Sequence, residues 1–226
     1  IFVSPGIYEE TFSIHEIKLP PHVALIGDNP DTCIIKCNTG IALETNTNSI
    51  VSNLTFDLFS ADTNASNTDV IGINSNAKSN NKFENLKFIS SSFTKNIYTI
   101  KCLGSSNFII DKVNTDFNTS TSGSGNINNI YITEDSSNNG SSGIIKNCTT
   151  SIKTLDHNKN ALRIDGKSIV TAKYNEFTIE EYNSTGTAVT SESINLKNSN
   201  LELLHSKIEC IGFDDNYTTT NKNLLG

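Results

Sequence analysis

The chain has 226 residues, carries a formal net charge of −7 at pH 7 and is 35% hydrophobic. The acidic balance counts against nucleic acid or an anionic membrane surface as a partner, and no apolar run is long enough to span a bilayer. Asparagine (32 residues) and serine plus threonine (52) are abundant, yet the apolar residues fall in short alternating runs, which argues for strands over disorder.

Ile1-Phe2-Val3 opens as a strand with no cap before it, and Leu224-Leu225-Gly226 ends without one. An elongated single domain over 1–226, cut or processed from a longer chain, is therefore expected. Pro5-Gly6 marks a tight turn, Gly27 a corner, and Cys33-Ile34-Ile35 a further strand. From there, apolar stretches end on bulky anchors at Phe56, Phe88, Phe117, Ile152, Phe177 and Ile208, at intervals of 25 to 35 residues. Between them runs a second strand series: Val70-Ile71-Gly72-Ile73, Ile97 to Cys102, Ile130-Tyr131-Ile132, Leu162-Arg163-Ile164 and Ala188-Val189. Polar loops are expected at Ser60–Asp69, Thr119–Asn128 and Asp135–Ser142.

A strand period near about 30 residues, without helical patterning, predicts an all-β solenoid: a right-handed parallel β-helix of about six to eight coils. A β-sandwich or jelly roll also has many short strands but needs no such period. In the coil, Phe56, Phe88, Phe117 and Phe177 are expected to stack as one inner aromatic ladder. Ile130 and Ile132 point inward and Tyr131 outward. Asn53, Asn85 and Asn114 each precede an anchor by three residues, which suggests an asparagine ladder at a turn.

The opening residues add a resemblance. Val3, Pro5, Gly6, Tyr8 and Glu10, then Leu25 and Gly27, then Cys33-Ile34-Ile35, resemble the first coil of the pectin-lyase-like superfamily over about 35 residues. The resemblance implies the parallel β-helix. It implies no single activity, because that superfamily includes lyases, esterases, glycosidases, tailspikes, adhesins and virion proteins.

Catalytic sets are sparse. Asn114-Thr115-Asp116 spells the N-T-D of polygalacturonase-like glycosidases, but the G-H-G is missing and Arg163-Ile164-Asp165 lacks the R-I-K lysine. Asp116 and Glu176 each precede an anchor by one residue. They are the candidate catalytic carboxylates, expected on one flank two coils apart, about 9–10 Å. That is near the upper limit for an inverting glycosidase. The only arginine, Arg163, reads as a surface ion pair with Asp165. With no tryptophan, Tyr98, Tyr131, Tyr174 and Tyr182 are the available sugar-stacking rings.

The five cysteines, Cys33, Cys37, Cys102, Cys148 and Cys210, read as buried free thiols or as one or more disulfides, and the four scattered histidines suggest no metal site. No cofactor, metal, nucleic acid or membrane insertion is expected. The expected function is a non-catalytic structural or surface-recognition β-helix of a virion or fibre, at a virion or extracellular surface. Its partners would be other subunits of an oligomer or virion, and surface glycans. The vocabulary rich in Asn, Ile, Lys and Ser, of a kind common in large DNA viruses, supports that reading. The alternative is a carbohydrate-active enzyme, a polysaccharide lyase or glycoside hydrolase, that uses the outer flank of the coil.

Overall fold

The computed structural model describes residues 1–9, 17–59, 69–90, 96–119, 125–155, 157–181 and 191–211. Among these residues every strand pairing is parallel and there is no helix. The chain is a parallel β-helix, as its repeat and its opening coil imply. The sandwich alternative fails because each strand pairs with its equivalent one turn later, not with an antiparallel neighbour.

Each turn has three faces. The first carries Phe2–Val3, Ala24–Gly27, the early part of Ile50–Leu58, Lys82–Ser90 and Phe108–Thr119, then Ser142–Lys146, Ile169–Lys173 and Asn200–Leu204. The second carries Gly6–Glu9, Cys33–Cys37, the later part of the same long strands, Thr149–Thr154, Glu176–Glu181 and Lys207–Ile211. Together these form a 13-stranded sheet. The third face is a separate 7-stranded sheet of Ile17–Lys18, Gly40–Glu44, Val70–Asn76, Ile97–Leu103, Asn126–Thr133, Asn158–Asp165 and Ser191–Lys197.

Left-handed residues make the corners. Between the first and second faces lie Asn53, Asn85, Lys112, Asn147, Tyr174 and His205, with φ from 48° to 58°. A second corner carries His22, Asn48, Asn80 and Asn107, with φ from 54° to 63°. A left-handed backbone strains most L-residues, and asparagine tolerates it better than most. The amides also bond along the axis. Asn85 Nδ2 donates to Asn53 Oδ1 at 2.8 Å, and Asn80 Nδ2 to Asn48 Oδ1 at 3.0 Å. The expected ladder thus exists between Asn53 and Asn85, but the next residue at that corner is Lys112, not an asparagine. Asn114 sits in extended strand, paired with Lys87 and Thr149.

The core departs from the single aromatic ladder. Phe56 and Phe88 do stack, with ring centroids 5.2 Å apart and planes 14° off parallel. The row then continues through Thr115, Thr150, Phe177 and Ile208. Phe117 is two residues out of that row and aligns with Ser90, Ile152 and Ile179. The interruption has a cause across the core. On the third face, Thr99 and Asn129 fall between paired flanking residues, in one row with Gly72 and Ala161. Asn129 Oδ1 accepts from Thr115 Oγ1 at 2.8 Å, and Asn129 Nδ2 donates to Thr150 Oγ1 at 2.8 Å. Thr99 Oγ1 donates to the Asn129 carbonyl at 2.6 Å. Where the third face offers Gly72 instead, the facing row carries Phe88, and a Cβ on Gly72 would lie 2.7 Å from that ring.

Elsewhere the core matches expectation. Ile130 and Ile132 are buried and Tyr131 is partly exposed. All five cysteines are free thiols. Burial pushes the Cys102 thiol up to about 12, so it stays a protonated apolar filler. Two of the expected polar segments, Thr119–Asn128 and Asp135–Ser142, are shorter than expected. Thr119 ends a strand, Asn126–Asn128 begin another, and Ser142 begins a third. Asp135 ties down the turn before Ser142, its Oδ1 accepting from the backbone N–H groups of Ser137 and Asn139 at 2.8 and 3.0 Å. Residues 60–68, 120–124, Tyr182 and Ala188-Val189 lie outside the described residues.

Candidate functional site

The candidate catalytic carboxylates fall in different rows of the second face. Asp116 pairs with Ile89 and Ser151, whereas Glu176 pairs with Thr149 and Lys207. They are two coils apart and also two residues out of register, because Phe177 aligns with Thr150 and not with Ile152. Both are exposed, and Glu176 is tied to Lys207 Nζ at 3.0 Å. The row of Asp116 carries Asp57 two coils earlier through Ile89, Glu9 two coils before that through Lys36, and Glu209 three coils later through Ser151 and Thr178. Partial burial raises the Asp57 pKa, Lys36 pulls it back down and Glu9 adds to the rise.

A denser cluster lies on the outside of the third face, where two outward rows are set by pairing. One runs Ile71, Tyr98, Asn128, Asn160 and Glu192; the other runs Asn74, Lys101, Tyr131, Arg163 and Asn195. Parallel strands lie about 4.8 Å apart, so Tyr98 and Tyr131, one coil apart in adjacent rows, meet with ring centroids at 5.7 Å and planes 36° apart. Lys101 Nζ sits 4.8 Å from the Tyr98 centroid, and the Arg163 guanidinium 5.0 Å from that of Tyr131. These are cation–π distances. Asp165 closes the group. Its Oδ2 accepts from Arg163 Nε at 2.9 Å and from the Tyr131 hydroxyl at 3.1 Å.

Burial, with the nearby Asp69 carboxylate adding, pushes the Tyr98 phenol up to about 12, and burial raises Tyr131 as well. Both rings therefore stay neutral hydrogen-bonding groups over the physiological range. Burial works against the Arg163 charge, but the bonds to Asp165 outweigh it and raise its pKa. Two of the four tyrosines weighed as sugar platforms are thus brought together. Tyr174 lies apart, at the corner between the first and second faces, stacked on His205 at 5.4 Å. Arg163 and Asp165 are more than the expected surface pair, and Lys101, which the sequence analysis does not single out, joins them. Its signal is the strand register: Lys101, Tyr131 and Arg163 occupy one outward row of the second strand series. Among the described residues no cluster of His, Cys, Asp and Glu suits a metal ion.

No family model and no curated protein matches the chain. Solved structures of similar outline include the catalytic domain of a GH87 α-1,3-glucanase, at 9% identity and TM-score 0.38, over 92% of this chain and 63% of that one. Another is Geobacillus virus E2 ORF18, at 11% identity and TM-score 0.36, over 88% of this chain and 53% of that one. A third is the pectin methylesterase of Yersinia enterocolitica, at 12% identity and TM-score 0.34, over 89% of this chain and 84% of that one. The chain thus spans less than two thirds of the first two.

Proposed function

We propose that this chain is a non-catalytic surface-recognition β-helix of a virion or fibre, with the outer side of its third face as a glycan-recognition surface. The observation that carries the reading is the Tyr98–Tyr131 pair with Lys101 and Arg163 against its rings. Half-buried tyrosines flanked by long side chains offer an apolar surface with polar tips, the combination that holds the C–H faces and the hydroxyls of a sugar. The third face is one sheet over seven turns, so the surface can follow an extended saccharide along the axis. On a glycan array the chain should retain a subset of oligosaccharides. Tyr131→Ala and Tyr98→Ala should each weaken that binding by at least about tenfold, with unchanged secondary structure. Retention that survives both substitutions would remove the assignment.

A virion or extracellular surface is the location that goes with this role, and other subunits of an oligomer or virion are the protein partners. Light scattering should find an oligomer; a monodisperse monomer at high concentration would remove that part of the proposal.

The alternative, a carbohydrate-active enzyme on the outer flank, has one observation in its favour. Asp57, with its raised pKa, and Asp116 share a row, about 9–10 Å apart, near the upper limit for a general acid and base placed around a water. New reducing ends or unsaturated products from a polysaccharide panel, lost in Asp116→Asn, would favour it over recognition.

A further inference from the structure

Among the described residues, Lys18, Lys101, Arg163 and Lys197 are the cations in the outward rows of the third face. Lys18 is paired with Glu44 at 3.5 Å. Arg163 is held by Asp165 through Nε at 2.9 Å and through Nη2 at 2.8 Å. Lys197 is exposed, one coil beyond Asp165, and neither a carboxylate nor a ring holds it. Lys101 differs from all three. It is partly exposed and makes no ion pair and no hydrogen bond, yet its Nζ is fixed 4.8 Å from the Tyr98 ring centroid. An ammonium carries three donors, so Lys101 presents a charge with no acceptor of its own. The ring contact has already restricted the side chain, so less rotamer freedom is lost when a ligand binds there than at an ordinary exposed lysine.

Resting on the recognition reading above, we infer that this surface selects a saccharide with a single anionic group, a carboxylate or a sulfate, seated on Lys101 beside the tyrosine rings. Lys101 is the cation that meets both conditions, a ring contact and no carboxylate. Arg163 also lies on a ring, but Asp165 already occupies its Nε and Nη2 edge. One charge, and not many, follows from the surroundings. Two carboxylates flank the tyrosine pair in coil order. Asp69 lies one coil before Tyr98, where its charge adds to burial in raising the phenol pKa, and its Oδ1 accepts from Asn96 Nδ2 at 3.0 Å. Asp165 lies one coil after Tyr131 and accepts from its hydroxyl. A ligand charged on every ring would bring anions against both carboxylates, on a chain whose net charge is already −7. A single group at Lys101 stays between them.

The test is a glycan array that carries each oligosaccharide in a neutral form and in forms bearing one sialic acid or one sulfate, with a heparin hexasaccharide as the polyanion. Calorimetry of the intact chain then measures the best-retained pair. The inference expects the singly charged form to bind about three- to tenfold tighter than its neutral parent, as one partly exposed charged contact allows. The sialylated and sulfated arms show which group is read. That ratio should fall to about one in Lys101→Met, which keeps an apolar stem against Tyr98, and should return in Lys101→Arg, which restores the charge. Lys197→Met should leave it unchanged. Because the ratio is read, a general weakening of the surface does not mimic the effect. Equal binding of charged and neutral forms, or a ratio that survives Lys101→Met, would overturn the role of Lys101. Preference for heparin over the singly charged forms would overturn the single-charge class. Each of these leaves the recognition face standing. Retention of no glycan would overturn both this inference and the recognition reading.

Discussion

Replacing Asn129 by alanine is expected to destabilise the coil by about 3–5 kcal/mol, one of the largest effects of any single polar substitution in this chain. The amide is fully buried, as are Thr99 and Thr115, and Thr150 is 1% exposed. Removing it leaves the Thr115 and Thr150 hydroxyls without their partner. Each stranded buried hydroxyl costs about 1–3 kcal/mol, and the lost volume adds a cavity. Thr99 keeps the backbone carbonyl of residue 129, so it moderates the loss. The triple replacement Thr115→Val, Asn129→Leu, Thr150→Val should come much closer to the parent, because removing all partners together strands none of them. Equilibrium urea unfolding of the single and triple variants checks this. A triple variant at least as unstable as Asn129→Ala would contradict the network account.

The second large effect concerns Phe88. Phe88→Ala should cost about 3–5 kcal/mol, because the ring is fully buried and stacks on Phe56. Its neighbour across the core makes the claim sharper. A Cβ on Gly72 would lie 2.7 Å from Phe88 Cε1 and 2.7 Å from the Thr99 carbonyl. Gly72→Ala should therefore destabilise the parent strongly and the Phe88→Ala background less, since one of the two clashes is gone. A double-mutant cycle would show coupling of about 1 kcal/mol or more. Strict additivity would mean that the two residues do not share the space.

These two sites also explain what the sequence could and could not show. The parallel coil was legible because its strands recur with bulky anchors and because asparagine marks the left-handed corners, as at Asn53 and Asn85. The row assignment was not. Thr115 and Thr150 fill the aromatic row with polar side chains, which look like surface residues until Asn129 is seen to bond both. Counting anchors by bulk alone therefore aligned Phe117 with Phe88 and Phe177 with Ile152, and that shift set Asp116 and Glu176 in a common row. In the structure Thr115 follows Phe88, and the nearest carboxylate in the row of Asp116 is Asp57, not Glu176.

The recognition surface was legible in fragments. Tyr98 and Tyr131 were open to reading as stacking rings and Arg163 with Asp165 as a pair, but each stood alone. Only the register brings Lys101, Tyr131 and Arg163 into successive coils and Tyr98 against Tyr131. The burial of Asn74, Asn160 and Asp165 carries no trace in the sequence, because burial of an outward side chain depends on its neighbours in other coils.

The most direct measurement is a crystal structure of the chain with the oligosaccharide it binds most tightly. The account predicts sugar rings over Tyr98 and Tyr131, with no bond cleaved. Sugar seated instead over Asp57, Ile89 and Asp116, or found as a cleaved product there, would contradict it and make the second face the working surface.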